Sequence, residues 1–431
     1  MMEGNGAVLY SSLGELIKNK RQQANLSLSE LGRLSGVSKG VLSKIESCET
    51  KRPELRTIKA ITTVLVLPYE EIIENYIEIQ QRVEILYELL LEMIELSNTT
   101  LISKVAQKIL ENPQEDTYTA LERLYDLCNS ITSDEIRLIL YSAIIKYARV
   151  HGIPNYIAKP SLQKYLIERQ DFKNLEESFK IGEEISHYAD FLSEEEKITF
   201  YFRMGLHAFA IKKYQQCIEL TKMGLLRDHT INELKVRAYL AMINALLLSG
   251  NYEEVEKHLS IYKTFNFHFV HESAMLTGAI VKAKKKDYEV AIPLLLDCLQ
   301  NTSEDSRIHA VNELIELYLQ MEKFDSIAEL IAQEDNFLKV ESKTPYKYYS
   351  MGLYYQYKGN YQIVIKSYEE GLDSYLASME IYGKINAYQE INECMKSILS
   401  FYFSINKSID LQMVQKLQDV YNRIIQNKDI N

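Results

Sequence analysis

The stretch Leu26–Glu46, LSLSELGRLSGVSKGVLSKIE, decides how the chain begins. Ser27 followed three residues later by Glu30 is capping-box spacing, in which hydroxyl and carboxylate each satisfy a backbone N–H at a helix start. The spacing predicts a helix with Leu28, Leu31 and Leu34 facing inward, closed by Gly36. Val37 then reads as the buried residue of a turn. Ser38 reads as the cap of a further helix, SKGVLSKIES, with Val41, Leu42 and Ile45 on its inner face. Upstream, Leu13, Leu16 and Ile17 fall at helical spacing behind a cap at Ser11 or Ser12, and a break is expected at Asn25-Leu26.

Outward from this stretch, composition bounds the rest. The chain has 431 residues with only 16 Gly and 7 Pro, which points to long helices with short connections. It is 46% hydrophobic and 25% charged, a globular balance with a large core. No window approaches the length of a membrane span, and no basic region followed by an apolar run opens the chain, so a soluble cytoplasmic protein without membrane contact is expected. Five cysteines without a CxxC pair read as buried free thiols. Charge is uneven: residues 1–68 carry ten Lys and Arg against six acids, +4, leaving −15 for the remainder of a chain whose total is −11. A basic head on an acidic body suggests that one end meets a polyanion and the other does something else.

Two short helices joined by a glycine-containing turn form a DNA-binding supersecondary unit. The quoted string, with KRPELRTIKAITTVL after it, resembles the Cro and phage-repressor class of helix-turn-helix domains over about residues 12–68. The resemblance implies that the helix beginning at Ser38 enters the major groove of a double-stranded operator. There Ser38, Lys39, Gly40, Ser43 and Lys44 would lie nearest the base edges, and Arg33, Lys51 and Arg52 would hold phosphates. Ser29 stands where that class commonly has Gln, so a bidentate base contact from this position is lost, although a hydroxyl can still reach phosphate.

After Pro68, residues 69–97 run without Gly or Pro, which predicts one long linker helix. Ile72, Ile79, Leu86 and Met93 recur every seven residues with Tyr76, Val83 and Leu90 between them, an a/d seam that suits either a dimer contact or packing on the protein's own body. A homodimer is expected in either case, because repressor-type heads read paired half-sites.

Residues 98–431 read as a helical repeat array. An aromatic recurs in KKYQQC (Tyr214), SGNYEEV (Tyr252), KKDYEVA (Tyr288), MEKFDSI (Phe324) and KGNYQIV (Tyr361), a period close to that of paired-helix repeats. Gly205, Tyr214, Cys217 and Gly224, and then Gly352, Tyr355, Gly359, Tyr361, Tyr368 and Gly371, resemble the small and aromatic positions of tetratricopeptide repeats. The expected fold is therefore all-α, a helix-turn-helix domain followed by a tetratricopeptide-like α-solenoid of seven to nine hairpins. Its concave face is lined from the first helix of each hairpin: Arg237, Leu240, Asn244 and Leu247; His309, Asn312, Glu316 and Leu319; Tyr346, Tyr349, Leu353 and Gln356. Amides at Asn244 and Asn312 suit a peptide backbone, and Arg237 suits a carboxylate.

There is no Walker loop, GxGxxG, HExxH or GxSxG. His268 and His271 lack companions at metal spacing, and Lys284-Lys285-Lys286 reads as a solvated turn. No catalytic residue, metal or cofactor is expected, and the chain is not read as an enzyme. The head and the array together resemble the peptide-responsive RNPP (RRNPP) regulators of Gram-positive bacteria and their phages. That resemblance implies a cytoplasmic homodimer whose operator binding is controlled by a short signalling peptide in the groove, as in quorum sensing. The alternative is a repeat scaffold or anti-activator that binds a partner protein such as a response regulator.

Overall fold

The computed structural model describes residues 13–79, 82–338 and 344–426, and among them all regular structure is helical. The chain divides into two compact units, Met1–Ile167 and Glu168–Asn431.

The first unit opens with α1 (Leu13–Gln23), α2 (Leu28–Ser35), α3 (Lys39–Glu46) and α4 (Leu55–Leu65). The chain leaves α1 through Asn25 in the left-handed region, and Gly36 ends α2 in the same region at φ 72°. Leu16, Ile17, Leu31, Leu42, Ile58 and Ile61 are fully buried at the centre of this bundle. Helices of eight residues offer only two turns, so α2 and α3 anchor through few side chains. Leu34 and Val41, expected inside, are exposed, and Val37 and Leu28 are only half-buried. Gly14 fits because α1 crosses the end of α3 closely: a Cβ there would stand 2.3 Å from the Ile45 carbonyl oxygen. The expected caps at Ser11 and Ser12 lie outside the described residues.

The linker region departs from the single helix expected. It forms α5 (Tyr69–Ile79) and α6 (Val83–Glu95), and Arg82 before α6 has an extended backbone. Ile72, Tyr76, Leu86, Leu90 and Met93 are buried inside this unit, so the seam is spent on intramolecular packing. The Tyr76 hydroxyl donates to the Pro53 carbonyl at 3.0 Å, and Lys59 of α4 pairs with Glu92 of α6 at 2.6 Å, tying the four-helix head to the helices behind it. Then follow α7 (Thr99–Leu110), α8 (Thr117–Ser130), α9 (Asp134–His151) and α10 (Pro154–Glu168).

The second unit contains α11 (Leu175–Ser186), α12 (Glu194–Ala210), α13 (Tyr214–Arg227), α14 (Glu233–Leu248), α15 (Tyr252–Tyr262), α16 (His268–Lys284) and α17 (Tyr288–Asn301). It continues with α18 (Glu304–Gln320), α19 (Phe324–Ile331), α20 (Asp335–Leu338), α21 (Pro345–Val364), α22 (Tyr368–Gly383), α23 (Tyr388–Ser404) and α24 (Leu411–Gln426). One turn recurs. A left-handed residue (Lys212, Gly250, Lys286, Glu322, Lys366, Asn386) precedes a residue with ψ near 67°, and an aromatic (Tyr214, Tyr252, Tyr288, Phe324, Tyr368, Tyr388) starts the next helix. Four of the five expected aromatics occupy this position. The fifth, Tyr361, lies inside α21, and the turn falls at Tyr368. Gly359 of that GNY string serves close approach, since a Cβ there would meet the Tyr375 ring at 2.8 Å.

Candidate functional site

On the head, each recognition element is set by its caps. The Ser27 hydroxyl accepts from the Glu30 amide at 3.2 Å while the Glu30 carboxylate accepts from the Ser27 amide at 2.8 Å, completing the capping box. Ser38 caps α3 by accepting from the Val41 amide at 3.3 Å, so this hydroxyl is engaged in starting the helix. Leu42 and Ile45 anchor α3, leaving Lys39, Gly40, Ser43 and Lys44 exposed on its other side, with Ser29 and Arg33 exposed on α2 and Lys51 and Arg52 exposed after α3. A Cβ at Gly40 would meet nothing within 4 Å, so a backbone can approach there. Among the described residues, no acid pairs with Arg33, Lys39, Lys44 or Lys51 within 4 Å. Arg21 is structural instead: its guanidinium grips the buried Glu46 carboxylate in a two-pronged contact at 2.7 and 2.8 Å and donates to the Leu26 carbonyl. The exposed face is a cationic ridge on a pinned helix.

In the second unit, α12, α14, α16, α18 and α21 pack in succession as an inner wall, and its curvature brings the ends together. Phe209 at the end of α12 meets Tyr346 at the start of α21, with ring centroids 5.4 Å apart. Lys212 pairs with Glu390 at the start of α23 and lies 4.1 Å over the Tyr349 ring. The Asn386 amide donates to the Lys173 carbonyl at 2.7 Å. The last two contacts join residues 178 and 213 positions apart, whereas ion pairs such as Lys416–Asp373 join residues 43 apart along the stack. This clasp closes the concave face.

Inside it lies a polar cluster. His309 meets the Ser350 hydroxyl at 2.9 Å and stacks on Tyr346 at 4.6 Å; burial, then the nearby Lys347 charge, push its pKa down to about 3, so it is neutral. Asn312 is 5% exposed and donates its Nδ2 to the Ser350 carbonyl at 2.9 Å, while its Oδ1 has no partner. Lys284 stands 3.0 Å from both Glu313 and Glu316, and the Tyr357 hydroxyl bonds Glu316. Burial is the main cause that raises the Glu313 pKa.

The helix-turn-helix family model matches residues 17–72. The chain is 34% identical over 62 residues to the HTH-type transcriptional regulator RghRB of Bacillus subtilis, a match covering 14% of this chain and 45% of that protein. It is 30% identical over 103 residues to the HTH-type transcriptional repressor RghR of the same organism, covering 23% of this chain and 75% of that protein. The chain belongs to the HTH-type transcriptional regulators. The chain thus spans less than half the length of the first of these relatives. Among solved structures, a Rap protein complexed with competence and sporulation factor is 12% identical, covering 78% of this chain and all of that one, with a TM-score of 0.39. The SeMet-phAimR structure is 13% identical, covering 94% and 99%, with a TM-score of 0.40. Bacillus thuringiensis PlcR with the peptide PapR7 and DNA is 16% identical, covering 63% and 99%, with a TM-score of 0.20. Scores this low assign no ligand.

For this HTH-type regulator, the groove residues expected from sequence divide into two sets. His309, Asn312, Glu316 and Tyr349 fall within the polar cluster and its clasp, and Gln356 is half-buried on the same helix as Tyr349 without a hydrogen-bond partner among the described residues. Arg237 is exposed, paired with Glu233 at 2.7 Å and 4.4 Å over Phe269, and no contact joins it to the cluster among the described residues. Asn244 is half-buried with no side-chain partner there, whereas Leu247 is buried in the core. Asn312 differs from expectation in a specific way: its donor is used on α21, so only its acceptor is open. Lys284, Glu313, Ser350, Tyr357, Lys212 and Glu390 were not anticipated. Lys284 is the last residue of α16 and ion-paired, not part of a solvated turn, and Lys285 pairs with Glu256 at 2.8 Å. The signal for Glu313 was its i+4 position from His309. Of the cysteines, Cys48 is exposed and the other four are buried.

Proposed function

We propose that the chain is a DNA-binding regulator whose operator binding is controlled by a short signalling peptide held in the concave face of the second unit. The observation that carries the DNA half is the pinned α3 with Lys39, Gly40, Ser43 and Lys44 turned outward. Phosphate contacts position such a helix and base-edge contacts specify the sequence. The peptide half rests on the closed concave face, whose inner wall carries the half-buried amides Asn244 and Gln356 and the acceptor of Asn312. These groups match the alternating donors and acceptors of an extended backbone. The family resemblance of head plus repeat array supports the same reading.

A ligand that prefers one state of the clasp shifts the population of that state by its differential affinity, and the head then meets its operator differently. A homodimer belongs to this reading. With the linker seam spent inside the fold, the apolar surface left for a second copy is on α24, where Leu411, Val414, Tyr421 and Ile425 are exposed. The flanking Gln412, Gln415, Gln418 and Asn422 repel no copy of themselves.

Selection from a randomised duplex library with the full chain tests the DNA half. A defined motif is expected, lost in Lys39→Ala/Lys44→Ala; recovery of no motif overturns it. Mass spectrometry of peptides retained by the protein tests the other half. Asn244→Ala is expected to weaken a retained peptide by about 1–3 kcal/mol without changing peptide-free DNA binding, and undiminished affinity removes Asn244 from the site.

A further inference from the structure

The cluster at the centre of the concave face is unbalanced in both charge and hydrogen bonding. Two carboxylates, Glu313 and Glu316, share the single ammonium of Lys284 at 3.0 Å each. The charged groups acting on Glu313 are Lys284 and Glu316, so one negative charge is left over. The neighbouring His309 is neutral and does not offset it. Side chains of Lys284, Glu313 and Glu316 are 31, 18 and 33% exposed, enough to be reached and too little for water to screen them fully.

A second observation is independent of charge. On the same face of α18, between His309 and Glu316, Asn312 is 95% buried and its Oδ1 accepts nothing. A buried orphan acceptor is costly, and here its own amide donor is already committed to α21. The four carboxylate oxygens and this amide oxygen outnumber the donors that face them, the Lys284 ammonium and the Tyr357 hydroxyl. What completes the cluster is a group that carries positive charge and several N–H donors.

We propose that Glu313, Glu316 and the Asn312 oxygen form the subsite for a donor-rich cationic group of the bound ligand, an arginine or lysine side chain or a free α-ammonium. This rests on the peptide reading above and names the chemistry that the groove selects. Lys284 is the internal competitor: it holds the carboxylates in place when the groove is empty and shares them when the ligand cation arrives. Guanidinium fits best, because its planar fork can engage two acceptors at once.

The test uses the full chain and a randomised library of short peptides with free termini, retained species being read by mass spectrometry after size exclusion. Wild-type protein is expected to enrich basic residues about tenfold over the input. Glu313→Gln and Glu316→Gln together should bring that enrichment back to the input level. Lys284→Met should raise it, a change of opposite sign that loss of folding cannot imitate. An N-terminally acetylated copy of the library separates the two sources: enrichment that survives acetylation assigns a side chain, and retention that disappears assigns the α-ammonium. Retained peptides indifferent both to basic side chains and to a free amine overturn this inference and leave the peptide reading standing. Retention of no peptide by the folded protein overturns both.

Discussion

Lys212→Ala should open the second unit. The Lys212 ammonium makes two of the clasp contacts, with Glu390 and over the Tyr349 ring, and its side chain is 36% exposed against 14% for Glu390. An ion pair this accessible contributes no more than about 1 kcal/mol. The cation–π contact adds about 0.5–1 kcal/mol. Together they come to about 1.5 kcal/mol, roughly tenfold in the ratio of closed to open stacks. The substitution also leaves Glu390 without this partner, so a double-mutant cycle with Glu390→Gln is needed to isolate the coupling. Electron-resonance distances between spin labels at exposed Glu177 on α11 and Asn392 on α23, in a Cys48→Ser background, read the separation directly. Wild type should give a narrow short distance that broadens with added salt, because a half-exposed pair is screened. Lys212→Ala should give the broadened distribution at low salt. Identical distributions in the two proteins at every salt concentration would refute the clasp.

Other perturbations separate the remaining parts of the argument. Gly14→Ala places a methyl 2.3 Å from the Ile45 oxygen, so α1 and α3 must part. The expected loss is about 1–3 kcal/mol of head stability in a thermal melt, together with DNA affinity, whereas Gly40→Ala, with open space around it, should leave the melt unchanged. The histidines predict acid sensitivity in the second unit. Burial first, then nearby cations, hold His309 at about 3 and His207 at about 4, so both stay neutral in the fold while the unfolded chain takes up protons. Their contribution is complete above the unfolded value of about 6.5 and is lost as pH falls toward 4 and 3, at up to about 1.4 kcal/mol per pH unit for each. Urea midpoints at neutral and mildly acidic pH should show this, and His309→Gln should flatten the trend; an unaltered slope would contradict a neutral His309. Tyr421→Lys on α24 should shift sedimentation from dimer to monomer, and an unchanged sedimentation coefficient would place the contact elsewhere.

The local structure of the head was legible because its determinants are close in sequence. Ser27 with Glu30, Gly36 and Ser38 act within one helical turn, so spacing alone locates α2 and α3. The repeat turns were legible for the same reason at Tyr214, Tyr252, Tyr288 and Phe324. Where a string had two uses, reading failed: the glycine of GNY at Gly359–Tyr361 admits a neighbouring ring, and α21 runs through it. The linker shows the same ambiguity, since an a/d stripe buries equally well against a partner or against its own chain.

By itself, the sequence determined an all-helical chain, a capped recognition helix with its basic face, and a repeat that must stack. Those properties come from hydrogen bonds and apolar periodicity within a few turns of helix. Only the tertiary structure decided that the linker folds back on the head, that Lys212 reaches Glu390, and that Lys284, Glu313, Glu316 and the open oxygen of Asn312 converge. Curvature accumulates over many hairpins, and small rotations summed along a stack fix which distant side chains meet.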